Sequence, residues 1–334
     1  MKVLFIGGTG VISTDTAALA VKKGMEVTLL NRGNSKLAPE GCEQIKCDVF
    51  NPDMLKAAIS GRKWDVVVDT ISFTPDQLQY KLDMFRGHYT QFVFISSSAV
   101  YQRGGQLPVT EKSPLGNFGW NYSVDKAVCE ALLQREHYMH GSIYTAIRPS
   151  ETYNDLRIPG VFVANPLKGG YTILNRLRNG KPTIVHDGGT TINNFTHATD
   201  IAKGICGVFG NEKAYLEAFN ATSDETCSWV DLAKKVCAAA GAPENIAHVP
   251  TKDLVLALPQ SSLGDTYGVL VWSKCFDMVY DSTKLKTLVP EFKCTTNLDE
   301  GLRRTVAFYD EHPEYQTIDE NLDRQMDEIC ARFC

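Results

Sequence analysis

The chain opens Met1-Lys2-Val3-Leu4-Phe5-Ile6-Gly7-Gly8-Thr9-Gly10-Val11-Ile12-Ser13, an apolar run that breaks into a glycine-rich turn. No other segment constrains the fold as much. An apolar run of strand length, a turn that needs glycine and a helical pattern to Lys23 predict a buried strand, a tight turn and a helix N-terminus. Unpaired N–H groups and the positive end of the helix dipole suit such a junction to phosphate, above all a dinucleotide pyrophosphate. The spacing is Gly7-x-x-Gly10-x-x-Ser13, so serine holds the third position of the usual glycine pattern. Taken alone such a turn is weak evidence, because an ordinary strand-to-helix connection can also carry it.

The first half of the chain alternates. Strand-like runs at Lys2–Ile6, Glu26–Leu30, Gln44–Lys46, Trp64–Asp69, Gln91–Ser96 and Ile143–Ile147 are separated by helix-like Thr14–Lys23, Pro52–Ser60, Pro75–Phe85 and Tyr122–His137. This order predicts an α/β fold, a Rossmann-type doubly wound parallel sheet with helices on both faces. Val66-Val67-Val68 and Phe92-Val93-Phe94-Ile95 are apolar on consecutive positions, as a doubly covered sheet requires. After Arg148 the texture changes. Residues 151–192 are rich in Gly, Pro and Asn around a helix-like Tyr171–Asn179, Phe195–Phe209 is amphipathic, Ser228 caps a helix to Ala240, and Leu298–Tyr309 reads as another. We expect a dinucleotide-binding domain over residues 1–153, completed by about 193–225, with a smaller interleaved C-terminal substrate domain from 154–192 and 226–334.

Bulk properties narrow the partners. A net charge of −5 argues against a nucleic-acid partner. No apolar stretch is long enough for a membrane span, and the first apolar run is too short for a secretory leader. Ten cysteines without a Cys-x-x-Cys pair fit a reduced, cytoplasmic chain. His186 and His197 lack ligand partners at metal-site spacing, so no metal is expected.

Tyr122 and Lys126 stand one helical turn apart on one face of the expected helix. A neighbouring ammonium favours the phenolate, which suits proton exchange near neutral pH. In a chain with 13 tyrosines that spacing also arises by chance, so its position decides. The pair follows the fifth strand, which runs into Ser96-Ser97-Ser98, and strand carboxyl ends are where ligands collect in such sheets. A serine hydroxyl there can hold a substrate oxygen, or merely cap the strand end.

Gly-Gly-Thr-Gly-x-Ile, Ser-Ser-x-x-Val-Tyr and Tyr-x-x-x-Lys in this order resemble the extended short-chain dehydrogenase/reductases, the NAD-dependent epimerase/dehydratase family. Asp48-Val49, Arg148-Pro149 and Phe195-Thr196-His197-Ala198-Thr199-Asp200 extend the likeness over nearly the whole chain. It implies hydride transfer between a nicotinamide and a carbinol carbon of a sugar-like, nucleotide-linked small molecule. Tyr122 would be the acid/base, Lys126 the ribose-binding group and Ser97 the catalytic serine, 25 residues before Tyr122 as in UDP-galactose 4-epimerases. Gly7, Thr9, Gly10, Val11, Ile12, Asn31, Arg32, Asp48, Val49, Thr70, Ile71, Ser72, Ser96 and Ser150 would join Tyr122 and Lys126 around NAD or NADP. Ser97 and Ser98 would meet substrate. From the residues alone, Arg176, Arg178 and Lys181 could grip an anionic substrate such as a nucleotide diphosphate, or simply form a solvated helix face. The resemblance also implies a homodimer through Pro75–Phe85 and Tyr122–His137.

Departures accompany the likeness. Asn31-Arg32 replaces the acidic residue that would bind the ribose 2′-OH, and an arginine there suits the 2′-phosphate of NADP. Asp69-Thr70-Ile71-Ser72 replaces the family's usual segment after the fourth strand, and Ser98-Ala99 stands where dehydratases have an acidic pair. Two alternatives stay open. Ala218 to Val236 resembles the chloroplast stem-loop RNA-binding relatives of the family, and a cofactor-binding protein without turnover would carry the same turn.

Overall fold

A computed structural model describes residues 1–160, 166–258 and 265–333. The strands β1 (Lys2–Ile6), β2 (Glu26–Asn31), β3 (Glu43–Lys46), β4 (Trp64–Asp69), β5 (Tyr89–Ile95) and β6 (Ile143–Pro149) alternate with helices. These are α1 (Val11–Lys22), α2 (Pro52–Ile59), α3 (Pro75–Phe85) and α4 (Asn121–His140). Then come β7 (Glu151–Tyr153), α5 (Pro166–Arg178), β8 (Thr183–His186), β9 (Ile192–His197), α6 (Ala198–Val208) and β10 (Glu217–Ala221). The chain ends with β11 (Thr226–Ser228), α7 (Trp229–Ala240), β12 (Ile246–Val249), α8 (Thr251–Ala257), α9 (Thr266–Val269), α10 (Thr283–Leu288), α11 (Leu298–Glu311) and α12 (Glu320–Phe333).

The seven-stranded sheet runs β10-β6-β5-β4-β1-β2-β3, and every pairing in it is parallel. The order reverses between β1 and β4, so a crevice opens at their carboxyl ends. Alternation along β1 sends Val3 and Phe5 to one face, with α1 and α6, and Leu4 and Ile6 to the other, with α2, α3 and α4. All four are fully buried, each worth about 1.5–3 kcal/mol. A separate core around Trp229, Phe195 and Leu302 supports the mixed sheet β11-β9-β7 and the pair β12-β8.

Local chemistry sets the element ends. Gly7 and Gly8 adopt φ of +105° and +93°, open to glycine without strain, and α1 begins after Gly10. Ser13 Oγ accepts the Gly10 N–H at 2.9 Å, so the serine that replaces a glycine closes the first turn of the helix. Ser228 caps α7, accepting the Asp231 N–H at 3.1 Å. The amphipathic stretch Phe195–Phe209 divides at His197, whose Nδ1 accepts the Thr199 N–H at 3.3 Å and starts α6 there. The fifth strand ends at Ile95 rather than Ser96, which leaves the serines in the turn beyond it. No helix among the described residues is long and apolar enough to cross a membrane.

Candidate active site

Two cavities adjoin along the crevice. One, of about 840 Å³, lies over the ends of β1 and β2 and is lined by Asn31, Arg32, Lys36, Asp48 and Val49. The other, of about 690 Å³, lies over β4, β5 and β6 and is lined by Ile12, Thr70, Ser97, Ser150, Tyr122 and Lys126. Gly7, Thr9, Ile71 and Phe73 belong to both, so the glycine turn is their junction. That is the shape of two nucleotides joined by a pyrophosphate at a helix N-terminus.

The turn fits such a group. A Cβ on Gly7 would stand 2.7 Å from Thr70 Oγ1, and one on Gly8 would stand 2.6 Å from Leu29 Cδ2, so those glycines serve the backbone. Gly10 differs. Its φ is −96°, which any residue adopts, and a Cβ would approach only Ser13 Oγ, at 3.4 Å. Its missing side chain leaves open the cavity in front of α1, where Val11 and Ile12 also line the wall.

Tyr122 is half-buried, its ring 4.9 Å from Trp120 and 6.5 Å from Phe73. Burial raises its pKa, while the neighbouring Ser97 hydroxyl and the charge of Arg157 act to lower it. The sequence assigned that lowering to Lys126, whose ammonium lies 5.9 Å from the Tyr122 ring centre with its hydrogen bonds made to carbonyls. Lys126 Nζ donates to the carbonyls of Ser72 and Ile95, each at 2.8 Å, and lies 4.6 Å from the Phe94 ring centre. Burial pushes it down to about 8. Two of its three N–H groups are therefore committed to backbone carbonyls.

The other candidates divide. Ser97 and Ser98 line the second cavity, and Ser97 Oγ accepts the Ala99 N–H at 3.1 Å. Ser96 also reaches it, but its hydroxyl donates to Glu130 at 2.5 Å, part of a buried network with Arg148 and Tyr101. Ser150 donates to Asn193 Oδ1 at 2.8 Å. Ser72 is buried behind the wall, donating to Asp69 at 2.5 Å and accepting from Lys81 at 2.7 Å, so only its carbonyl serves the site through Lys126. In the first cavity, the Asn31 amide donates to Gly7 O at 3.3 Å and accepts from Gly33 N at 2.8 Å, while Arg32 stays exposed without an ion pair to a described residue.

Arg176 and Arg178 line neither cavity. Arg176 is buried, donating to Asp323 at 2.5 Å and Asp327 at 2.8 Å; Arg178 is paired with Asp310 at 2.7 Å, and Lys181 also bonds Asp323 and Asp327. These cations tie α5 and the turn after it to α11 and α12, and the expectation that they grip a substrate is corrected. Residues that sequence reasoning passed over stand in the cleft instead: Phe73, Arg103, Trp120, Glu151, Arg157 and Asn193. Phe73 and Trp120 were within reach, as neighbours of Ser72 and Tyr122; the other four reach the cleft only through the tertiary fold.

The model of the "NAD dependent epimerase/dehydratase family" matches residues 3–221. The chain is 28% identical over 303 residues to the Arabidopsis thaliana "Chloroplast stem-loop binding protein of 41 kDa b, chloroplastic", covering 83% of this chain and 76% of that one. It is 26% identical over 168 residues to a Lactobacillus helveticus UDP-glucose 4-epimerase, covering 44% and 51%. The Bifidobacterium longum UDP-glucose 4-epimerase in complex with NAD+ and UDP superposes with a TM-score of 0.75, at 19% identity over 94% of this chain and all of that one. A family match over most of the chain, on a doubly wound sheet with a glycine turn at the mouth of paired cavities, makes this protein a member of the NAD-dependent epimerase/dehydratase family.

Proposed function

We propose that the chain is an NAD(P)-dependent epimerase or reductase of the extended short-chain type, acting on a hydroxyl or keto carbon of a nucleotide-linked sugar. The observation that carries this reading is the placement of Tyr122, Ser97 and Lys126 in one cavity that adjoins a second at the glycine turn. When bound, a nicotinamide dinucleotide supplies the acceptor and donor of hydride. Tyr122 takes the proton of the substrate hydroxyl as hydride leaves the carbinol carbon, and returns it in the reverse step. Ser97 holds that oxygen beside the phenol. Lys126, fixed by two carbonyls, offers its remaining N–H to the cofactor ribose. Gly10, Val11 and Ile12 shape the pyrophosphate seat, and Arg32, with no carboxylate partner among the described residues, favours the 2′-phosphate of NADP.

Binding of NADH and NADPH, followed by nicotinamide fluorescence, tests the first half of the reading. Tyr122→Phe tests the second: it keeps cofactor affinity and loses about a hundredfold or more in turnover of UDP-glucose. Full turnover by that variant refutes Tyr122 as the acid/base. A homodimer through α3 and α4 belongs to the same reading, with Val128, Tyr138 and Met139 exposed on α4; a monomer in sedimentation at micromolar concentration refutes it.

The 28% identity to a stem-loop binding protein favours a second reading, RNA binding on the same fold. The net charge of −5 weighs against it. Salt-sensitive retention of RNA by the purified protein, undiminished in Tyr122→Phe, would replace the first reading with the second.

A further inference from the structure

We propose that the cavity holding Tyr122 contains an oxyanion site built on Arg157, so that the substrate carries a carboxylate or phosphate beside its reacting carbon. This rests on the reading of Tyr122 as the acid/base of the same cleft.

Arg157 is held by a turn fixed at several points. Its N–H donates to Asn154 O at 3.0 Å, and Asn154 Oδ1 accepts the Leu156 N–H at 3.1 Å. Asn154 Nδ2 donates to Val11 O at 3.3 Å, which ties the turn to α1, and Tyr309 OH donates to Leu156 O at 2.6 Å, which ties it to α11. The guanidinium lines the cavity that holds Tyr122 and makes no ion pair with a described residue. Burial lowers its pKa, against the charge of Glu151 and the Tyr122 phenol. Its field also reaches the Tyr122 phenol.

The surrounding charges do not neutralise it. Among the described residues Glu151 is the only carboxylate lining this cavity, and Lys274 already stands 3.9 Å from it. Arg103 lines the same cavity, its side chain bonded to Trp272 O and Tyr280 OH, each at 3.0 Å, without a carboxylate. Lys126, Arg103 and Arg157 thus face one acidic side chain. A guanidinium offers a planar fork that matches the oxygens of a carboxylate or phosphate. Arg176 and Arg178, committed to aspartates, do not compete for the role.

The test uses cofactor-loaded protein titrated calorimetrically with UDP-glucose and UDP-glucuronate, which differ in a hydroxymethyl against a carboxylate on the sugar ring. The uronate binds about tenfold or more tightly than UDP-glucose, as a charge-assisted hydrogen bond predicts. Arg157→Gln erases that preference and Arg157→Lys retains part of it, with unchanged cofactor affinity showing that both variants are folded. Displacement of the uronate by acetate or by inorganic phosphate identifies which oxyanion the site prefers; displacement by neither overturns the proposal. Equal affinities for the two nucleotide sugars overturn it too, while leaving the proposed function standing. Binding of neither sugar by protein that holds its cofactor overturns both.

Discussion

Removing Glu130 exposes how the floor of the cleft is held. Glu130 Oε1 accepts from Ser96 Oγ at 2.5 Å and from Arg148 Nε at 2.9 Å, and Oε2 accepts from Arg148 Nη2 at 2.5 Å. The two charged side chains are only 7% and 6% exposed. Arg148 Nη1 donates to Tyr101 OH at 2.8 Å, and that hydroxyl donates to Asn220 Oδ1 at 2.7 Å, so the network crosses from α4 through β6 to β10. Glu130→Ala deletes three hydrogen bonds and leaves a buried guanidinium with one neutral partner. Breaking one side of a buried pair costs about 3–5 kcal/mol, roughly a fifth or more of the stability of an ordinary domain. The double variant Glu130→Ala/Arg148→Met removes both charges and leaves unsatisfied only the hydroxyl of Ser96, at about 1–3 kcal/mol, because Tyr101 OH keeps its bond to Asn220. It should therefore be no less stable than Glu130→Ala. Urea unfolding followed by tryptophan fluorescence and circular dichroism checks this, with coincident transitions required before free energies are compared. A loss below about 1 kcal/mol in Glu130→Ala refutes the reasoning, as does a double variant whose loss equals the sum of the singles.

Three further outcomes follow from the geometry. Asp15 is pushed up to about 6, first by burial and then by Asp155, against His197 and Arg304. The folded state binds the extra proton between the ordinary carboxylate value and that figure, so stability falls as pH rises through this window. Asp15→Asn therefore raises the urea midpoint at pH 7.5, and a gain that persists undiminished at pH 3.5 refutes the assignment. Gly10→Ala folds with an unchanged urea midpoint but weakens cofactor binding about tenfold or more, whereas Gly8→Ala, with its φ of +93° and Leu29 in the way, loses about 1 kcal/mol or more of stability. Equal urea midpoints in the two variants contradict the division of labour between these glycines. Arg32→Ala weakens NADPH about tenfold more than NADH in a fluorescence titration, and equal losses remove Arg32 from the 2′-phosphate.

Much of the first half was legible because its signals are local. Lys2–Ile6, Trp64–Asp69 and Pro75–Phe85 begin and end where their apolar runs, proline and caps place them. Ser228 was legible as a cap for the same reason. What could not be read depends on partners far along the chain. Arg176 and Arg178 look like free cations on a helix, but their carboxylates lie 147 and 132 residues away. Arg157 has the opposite history: nothing in Asp155-Leu156-Arg157 marks a ligand group, and only the turn pinned to α1 and α11 carries it into the cleft. The pKa of Tyr122 escaped prediction because spacing places Lys126 one turn away but does not show the burial that raises the phenol.

Three of the departures from the family pattern, Ser13, Asn31 and Asp69, share one physical purpose. Ser13, in place of a glycine, accepts the Gly10 N–H and completes the start of α1. Asn31, in place of a carboxylate, joins Gly7 O to Gly33 N and so ties the glycine turn to the loop after β2. Asp69 accepts from the N–H groups of Ile71 and Ser72 at 3.0 and 3.1 Å and from the Ser72 hydroxyl, with Lys81 Nζ 3.4 Å away. It thereby fixes the segment whose Ser72 carbonyl holds Lys126. Each new polar group is spent on backbone that shapes the cleft, and none presents its own hydrogen-bonding capacity wholly to a ligand. Substitutions at these three positions should accordingly act on cofactor affinity through the shape of the turn and the position of Lys126, whereas Arg32 and Arg157, without an ion pair to a described residue, are the positions whose substitution should change which ligand is preferred.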